Sequence, residues 1–216
     1  MARFDRIAGR AAALLEDNID TDVILPARFL LRMDKAGLGE CLLADRRAAA
    51  AADGTPFALP EAGAGGPVIL FAGGGFGCGS SREHAVWALV DYGIRAVVAP
   101  SFGEIFAGNA ARGGLAALRV EAEYISRFAA QVPAGKFRID LSDLTIAAPD
   151  GSVAPASLPE DDRLSLINGW DEIDMITQAH DGAITAFEQA RRAQMPWLAA
   201  LLARGLPDAE PQDAGR

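Results

Sequence analysis

The stretch 67-PVILFAGGGFGCGSSREHAVWALVDYG-93 reads as strand, glycine loop and helix in direct succession. Pro67 to Phe71 is a short apolar run, the pattern of a strand covered on both faces. From Ser80 to Tyr92 the apolar residues Ala85, Ala88 and Leu89 recur at helical spacing, and Gly93 stops the helix. Ser80 and Ser81 stand where hydroxyls cap free helix N–H groups. Three closely spaced glycines, Gly75, Gly77 and Gly79, let the backbone turn sharply and approach a ligand.

Working outward, "IRAVVAP" (94–100) predicts a second buried strand and "LAALRV" (115–120) a third. Between them "SFGEIFAGNAARGG" predicts a helix opened by Ser101, with Glu104 three residues on in capping-box register. Strand, helix, strand, helix, strand implies parallel pairing through right-handed crossovers. Upstream, "GRAAALL" (9–15) predicts a strand, "EDNIDTD" (16–22) a loop, and "VILPARFL" (23–30) a short segment that Pro26 keeps out of a strand or helix interior. The alanine-rich run to Ala52 predicts a helix ended by Gly54, followed by a Gly/Pro-rich connector over 53–67. Downstream, residues 136–163 alternate in period two around a turn at Pro149 to Gly151, as a β-hairpin would. The tail carries apolar residues at helical spacing, with His180 assigned to a turn beside Asp181 and Gly182. From Gly205 onward the sequence predicts a frayed end.

With 216 residues, half of them hydrophobic, the chain can bury a sizeable core. Its net charge of −9 argues against a nucleic-acid partner, since phosphate binding needs clustered cations. There is no apolar run of membrane-spanning length, and "MARFDRIAGR" lacks the apolar core of a secretory signal, so the expected location is the cytoplasm. Two cysteines, Cys41 and Cys78, are too few for a four-cysteine metal or cluster site, so the expectation is that this chain binds no metal.

The glycine loop fits neither common nucleotide motif. A Walker loop needs Lys and then Ser or Thr after its last glycine, and here Gly79 is followed by Ser80, Ser81 and Arg82. A dinucleotide fold needs an acidic residue at the end of the next strand, where Pro100 and Ser101 stand. What remains is a helix N-terminus with two hydroxyls and a guanidinium that suits a carboxylate by two parallel hydrogen bonds. The alternative is a capped helix whose Arg82 pairs with a surface neighbour. Local sequence leaves both open.

The motifs "GCGSSREHAVWAL" (77–89), "DYGIRAVVAPSFGEIFAGNAARGGL" (91–115), "NIDTDVILPARFL" (18–30) and "LINGWDEI" (166–173) stand in an order that resembles the family of 3-isopropylmalate dehydratase small subunits, in the aconitase superfamily. The resemblance covers roughly residues 5–190. It implies an α/β fold, the swivelling β/β/α catalytic lid domain of that superfamily over residues 1–165, with a parallel-strand core around 67–120, and a helical C-terminal extension over 166–216. It also implies a hydro-lyase active only with a large subunit that carries a [4Fe–4S] cluster, acting on a hydroxy-diacid in leucine biosynthesis.

By the same resemblance Ser80 is the catalytic base and Asp22 an active-site aspartate, with Thr21 beside it. Ser81 and Arg82 contact a substrate carboxylate, and Gly77 and Gly79 shape the loop. Asp20 and Asp22 also have a plainer reading, as turn residues bonding their own backbone. "ARFLLR" (27–32) matches the recognition loop, which adds Leu31 and Arg32 to the substrate contacts. Leu31 favours an alkyl substituent, because a carboxylate buried against it would be unpaired. Many relatives carry Lys there. A related hydro-lyase acting on 2-methylmalate or 2,3-dimethylmalate, and a carboxylate-binding module without catalysis, are the alternatives.

Overall fold

The computed structural model describes residues 3–32, 34–59, 66–195 and 197. The predicted frayed end from Gly205 lies outside the described residues, as do residues 60–65 of the predicted connector. In chain order the elements are β1 (Arg6–Leu14), α1 (Thr21–Ile24), α2 (Ala44–Ala52), β2 (Ile69–Ala72), α3 (Glu83–Tyr92), β3 (Ala96–Ala99), α4 (Glu104–Arg112), β4 (Ala116–Arg119), α5 (Ala122–Ala129), β5 (Lys136–Asp140), β6 (Thr145–Ala147), β7 (Val153–Pro155), α6 (Glu160–Asn168) and α7 (Glu172–Gln194). They fall into two compact units that divide between Asp171 and Glu172.

The first unit is built on one seven-stranded sheet in the order β4-β3-β2-β1-β5-β6-β7. Strands β1 to β4 pair in parallel, as the alternation of apolar runs and helices predicts. Strands β5 to β7 form an antiparallel meander, with the predicted hairpin turn between β6 and β7. β1 joins the two halves: Ala11 to Leu14 pair with β2, and Arg6 to Arg10 pair with β5.

Period-two alternation sorts the central strands onto two cores. Leu70, Ala72, Val97 and Ala99 face a layer made by α3, α4 and the 19–43 segment. Ile69, Phe71, Val98 and Leu118 face α5 and the meander. In that second core Phe71, Phe128 and Phe137 meet edge to face or tilted, with ring centroids 4.9–5.9 Å apart.

Two predicted caps are corrected. α3 begins at Glu83 with Arg82 in the N-cap position and no side-chain cap, so Ser80 and Ser81 precede the helix instead of capping it. α4 begins at Glu104 after Gly103, also without a side-chain cap. Ser101 instead accepts the Gly75 N–H at 2.8 Å, a tertiary bond that local register cannot reveal. Gly93 does end α3, in the left-handed conformation at φ 118°.

The second unit opens with α7, whose backbone leaves helical geometry at His180 (φ −125°, ψ 15°). The predicted turn at His180 is therefore a kink inside one helical span. Arg192 donates to Glu188 at 3.3 Å, one turn earlier.

Candidate active site

The loop between β2 and α3 lies at the C-terminal ends of the parallel strands, where open α/β sheets gather their chemistry. It is stitched to both neighbouring loops through the backbone. On one side Gly77 N–H donates to Ile19 O at 2.7 Å, Thr21 N–H to Cys78 O at 3.0 Å, and Asn18 N–H to Gly74 O at 2.7 Å. On the other, Phe76 N–H donates to Ser101 O at 3.2 Å and Gly103 N–H to Phe76 O at 3.0 Å. Asp17 adds a side-chain strut, its Oδ1 accepting the Gly74 N–H at 2.6 Å. Glu16, next in line, is fixed by Arg46 of α2 at 2.7 Å, and that bond holds its carboxyl below the usual range.

Gly77 and Gly79 are among the glycines this geometry requires. At Gly77 φ is +72°, and a Cβ there would stand 2.3 Å from Cγ of Phe106. At Gly79 φ is +97°, which alone makes a side chain strained.

Beyond Gly79 the loop presents Ser80 and Ser81, both exposed. Thr21, only 1% exposed, is turned toward Ser80. Its hydroxyl donates to the Ser80 carbonyl at 3.1 Å and lies 3.3 Å from Ser80 Oγ. Asp20 caps α1, its Oδ1 accepting the Val23 N–H at 2.7 Å, as the turn reading of "NIDTD" holds. Asp22 does something different: its carboxylate pairs with the Arg82 guanidinium across the loop. One guanidinium nitrogen meets Asp22, which orients Arg82 and leaves other N–H donors of the fork for a further acceptor. The uncapped N-terminus of α3 follows directly behind, with its positive dipole end toward the same spot.

The structure thus brings together Ser80, Thr21, Asp22 and Arg82, with Gly77, Gly79 and Ser81 in the loop that carries them. Leu31 and Arg32 lie on a separate arch that follows α1. Leu31 is 89% exposed. The Arg32 guanidinium stands 5.8 Å from the Phe29 ring centroid and donates to Gly37 O at 3.3 Å. Arg28 ties the arch to α2 through Asp45, whose carboxyl that hydrogen bond holds below its usual range.

The cysteines do not fit an iron–sulfur cluster. Cys41 is buried, and the Cys78 thiol is turned to the Asn18 carbonyl at 3.5 Å. Two thiols cannot supply the ligands such a cluster takes. Among the described residues no group of three His, Cys, Asp or Glu is placed to hold a metal ion, and no helix is long and apolar enough to cross a membrane.

Asp17, Asn18, Ser101 and Phe106 escape sequence reading as parts of this site. Each acts on the loop from a distant segment, and only "DN" before "IDTD" offers a local signal, as turn-forming sequence.

Comparison with known proteins finds two family models that match this chain. The family model described as the aconitase C-terminal domain matches residues 1–123, and that for the C-terminal domain of the 3-isopropylmalate dehydratase small subunit matches residues 177–200. A 3-isopropylmalate dehydratase small subunit of Anaeromyxobacter dehalogenans is 44% identical over 189 residues, covering 86% of this chain and 97% of that protein. One from Rhodospirillum centenum is 39% identical over 201 residues, covering 91% and 98%. The crystal structure of a 3-isopropylmalate dehydratase from Methanocaldococcus jannaschii superimposes with a TM-score of 0.61 at 25% identity, covering 85% of this chain and 99% of that one.

Proposed function

Since this chain belongs to the family of 3-isopropylmalate dehydratase small subunits, hydro-lyases of leucine biosynthesis within the aconitase superfamily, we propose that Ser80 is the base of the reaction and Arg82 its carboxylate clamp. The observation that carries this assignment is the exposed Ser80 hydroxyl beside an Arg82 already oriented by Asp22, at the uncapped start of α3.

Interconverting 2- and 3-isopropylmalate takes a proton from the carbon next to a carboxylate and expels hydroxide from its neighbour, leaving a double bond. Water then adds back with the two positions exchanged. A serine takes that proton only as its alkoxide, which needs donors in place beforehand. Thr21 supplies one: rotating its hydroxyl hydrogen from the Ser80 carbonyl to Oγ gives the anion a hydrogen bond at the 3.3 Å already present. The positive end of α3 supplies a second favourable field. The free donors of Arg82, with Ser81, grip the carboxylate beside the reacting carbon, which fixes the C–H against Oγ. Asp22 keeps the guanidinium from swinging away.

The chain works with a large subunit in the cytoplasm, and that subunit carries the [4Fe–4S] cluster; Cys41 and Cys78 are too few to hold one here. Leu31 and Arg32 face the substituent end of the substrate, where an alkyl group suits Leu31.

Reconstitution under anaerobic conditions with the cognate large subunit tests the assignment. Ser80→Ala is expected to abolish turnover of 2-isopropylmalate while the two subunits still co-purify. Retention of the full rate would remove Ser80 as the base.

A further inference from the structure

Residues 27–32 and 34–37 form an arch between two footings, Ile24 to Pro26 and Leu38 to Leu43, the second buried except for Glu40. Its first limb is held by the Arg28–Asp45 ion pair to α2. Its second limb runs along α3. Lys35 Nζ stands 4.5 Å from the Trp87 ring centroid. Trp87 packs in turn on His84, with ring centroids 4.5 Å apart at 47°. One turn further, Asp91 Oδ2 accepts the Gly39 N–H at 2.7 Å. The approach is so close that a Cβ on Gly39 would stand 2.5 Å from the Tyr92 nitrogen.

His84, Trp87 and Asp91 follow one another at i, i+3 and i+7, so they form a single face of α3. The same helix carries Arg82 at its N-cap. One rigid element therefore holds both the carboxylate clamp and the arch that bears Leu31.

We propose that Trp87 is a positioning residue for substrate selectivity: through Lys35 it sets the place of Leu31 relative to Ser80 and Arg82. The inference rests on the reading of Leu31 as the residue that meets the substrate's alkyl substituent. An indole face is the strongest ring partner for an ammonium, and this ring is itself steadied by His84 and by the core beneath. Removing it loosens the second limb around Lys35, which keeps its footing at Gly39, while the first stays tied to Asp45. A wall that moves no longer distinguishes isopropyl from methyl, yet the proton transfer at Ser80 is untouched.

The test compares kcat/KM for 2-isopropylmalate and 2-methylmalate in the reconstituted heteromer. Trp87→Leu is expected to lower the ratio of the two about tenfold, more through KM than through kcat. Trp87→Phe should restore most of it. Lys35→Met, a surface change that leaves the fold intact, should lower the ratio about threefold, the scale of an exposed cation–π contact. An unchanged ratio in both Trp87→Leu and Lys35→Met overturns the proposal, as does a loss shared equally by both substrates. If Trp87→Leu does not assemble, Lys35→Met decides. Leu31→Ala separates the two readings: a ratio unchanged there overturns the role of Leu31 and this inference with it, whereas a ratio that falls there but holds in the other variants overturns the role of Trp87 alone.

Discussion

The Thr21 hydroxyl lies 3.1 Å from the Ser80 carbonyl oxygen and 3.3 Å from Ser80 Oγ. With one hydrogen to give, it serves the carbonyl when Ser80 is neutral, and on the proposed role of Ser80 as base it turns to Oγ once the proton has left. Burial of Thr21 limits its competing partners. Thr21→Val keeps the shape and deletes the donor, so kcat should fall about 10- to 100-fold, the worth of a hydrogen bond to a charged group. KM should change little, and Thr21→Ser should recover most of the rate. Steady-state kinetics of the reconstituted heteromer checks this.

Arg82 is expected to tolerate no cation of different shape. Lys offers a point charge and cannot meet Asp22 and a substrate carboxylate with one planar fork. Arg82→Lys should raise KM and lower kcat together, with kcat/KM down at least roughly 100-fold. Asp22→Asn should have the milder effect, since it loosens the guanidinium without removing it. The same assay reads both.

At Gly77 a methyl group meets both a left-handed backbone and the Phe106 ring. Gly77→Ala should destabilise the chain by about 2–4 kcal/mol, from backbone strain plus overpacking. Thermal unfolding monitored by circular dichroism should show a lower midpoint, and the heteromer should lose activity. A midpoint equal to that of the parent would mean the loop relaxes freely.

Leu31→Lys should shift preference from an alkyl to a carboxylate substituent, because an ammonium at the crown of the arch offers a charged group its counter-ion. The ratio of homocitrate to 2-isopropylmalate turnover should rise. An unchanged ratio would place the discriminating surface elsewhere.

Asp140 gives a pH signature unrelated to catalysis. The Asp143 backbone N–H, with Arg6 and the Ser142 N–H, holds its carboxyl below the usual range. A carboxyl depressed in the folded state adds stability above its unfolded value and loses it as pH falls through the folded one. Asp140→Asn should therefore be less stable than the parent near neutrality, and the two curves should converge in acid below the ordinary carboxylate range. Denaturant titrations across that window measure it.

Much of the fold is legible in the sequence because its signals are local. The parallel half announces itself in uninterrupted apolar strands and helix stops, such as 67–71 and Gly93, and the meander in alternation around Pro149 to Gly151. The caps mislead because Ser80, Ser81 and Ser101 have the right identity at the right spacing, while the partners of Ser80 and Ser101 are set by the neighbouring loops. At the site, glycine spacing and "SSR" mark the loop that carries Ser80 and Arg82. That Asp22 pairs with Arg82 sixty residues away, or that Asp17 props Gly74, depends on strand order and is invisible to any local window.

β1 changes partners along its length: residues 11–14 pair with β2 and residues 6–10 with β5. During synthesis the first of these pairings becomes available once residue 72 has emerged, the second only after residue 140. The segments that bear Asp22, Ser80 and Ser101 are all made before the meander exists. The opening residues of β1 therefore have no strand neighbour until Asp140 is made, an unpaired margin that a nascent chain must shield until then.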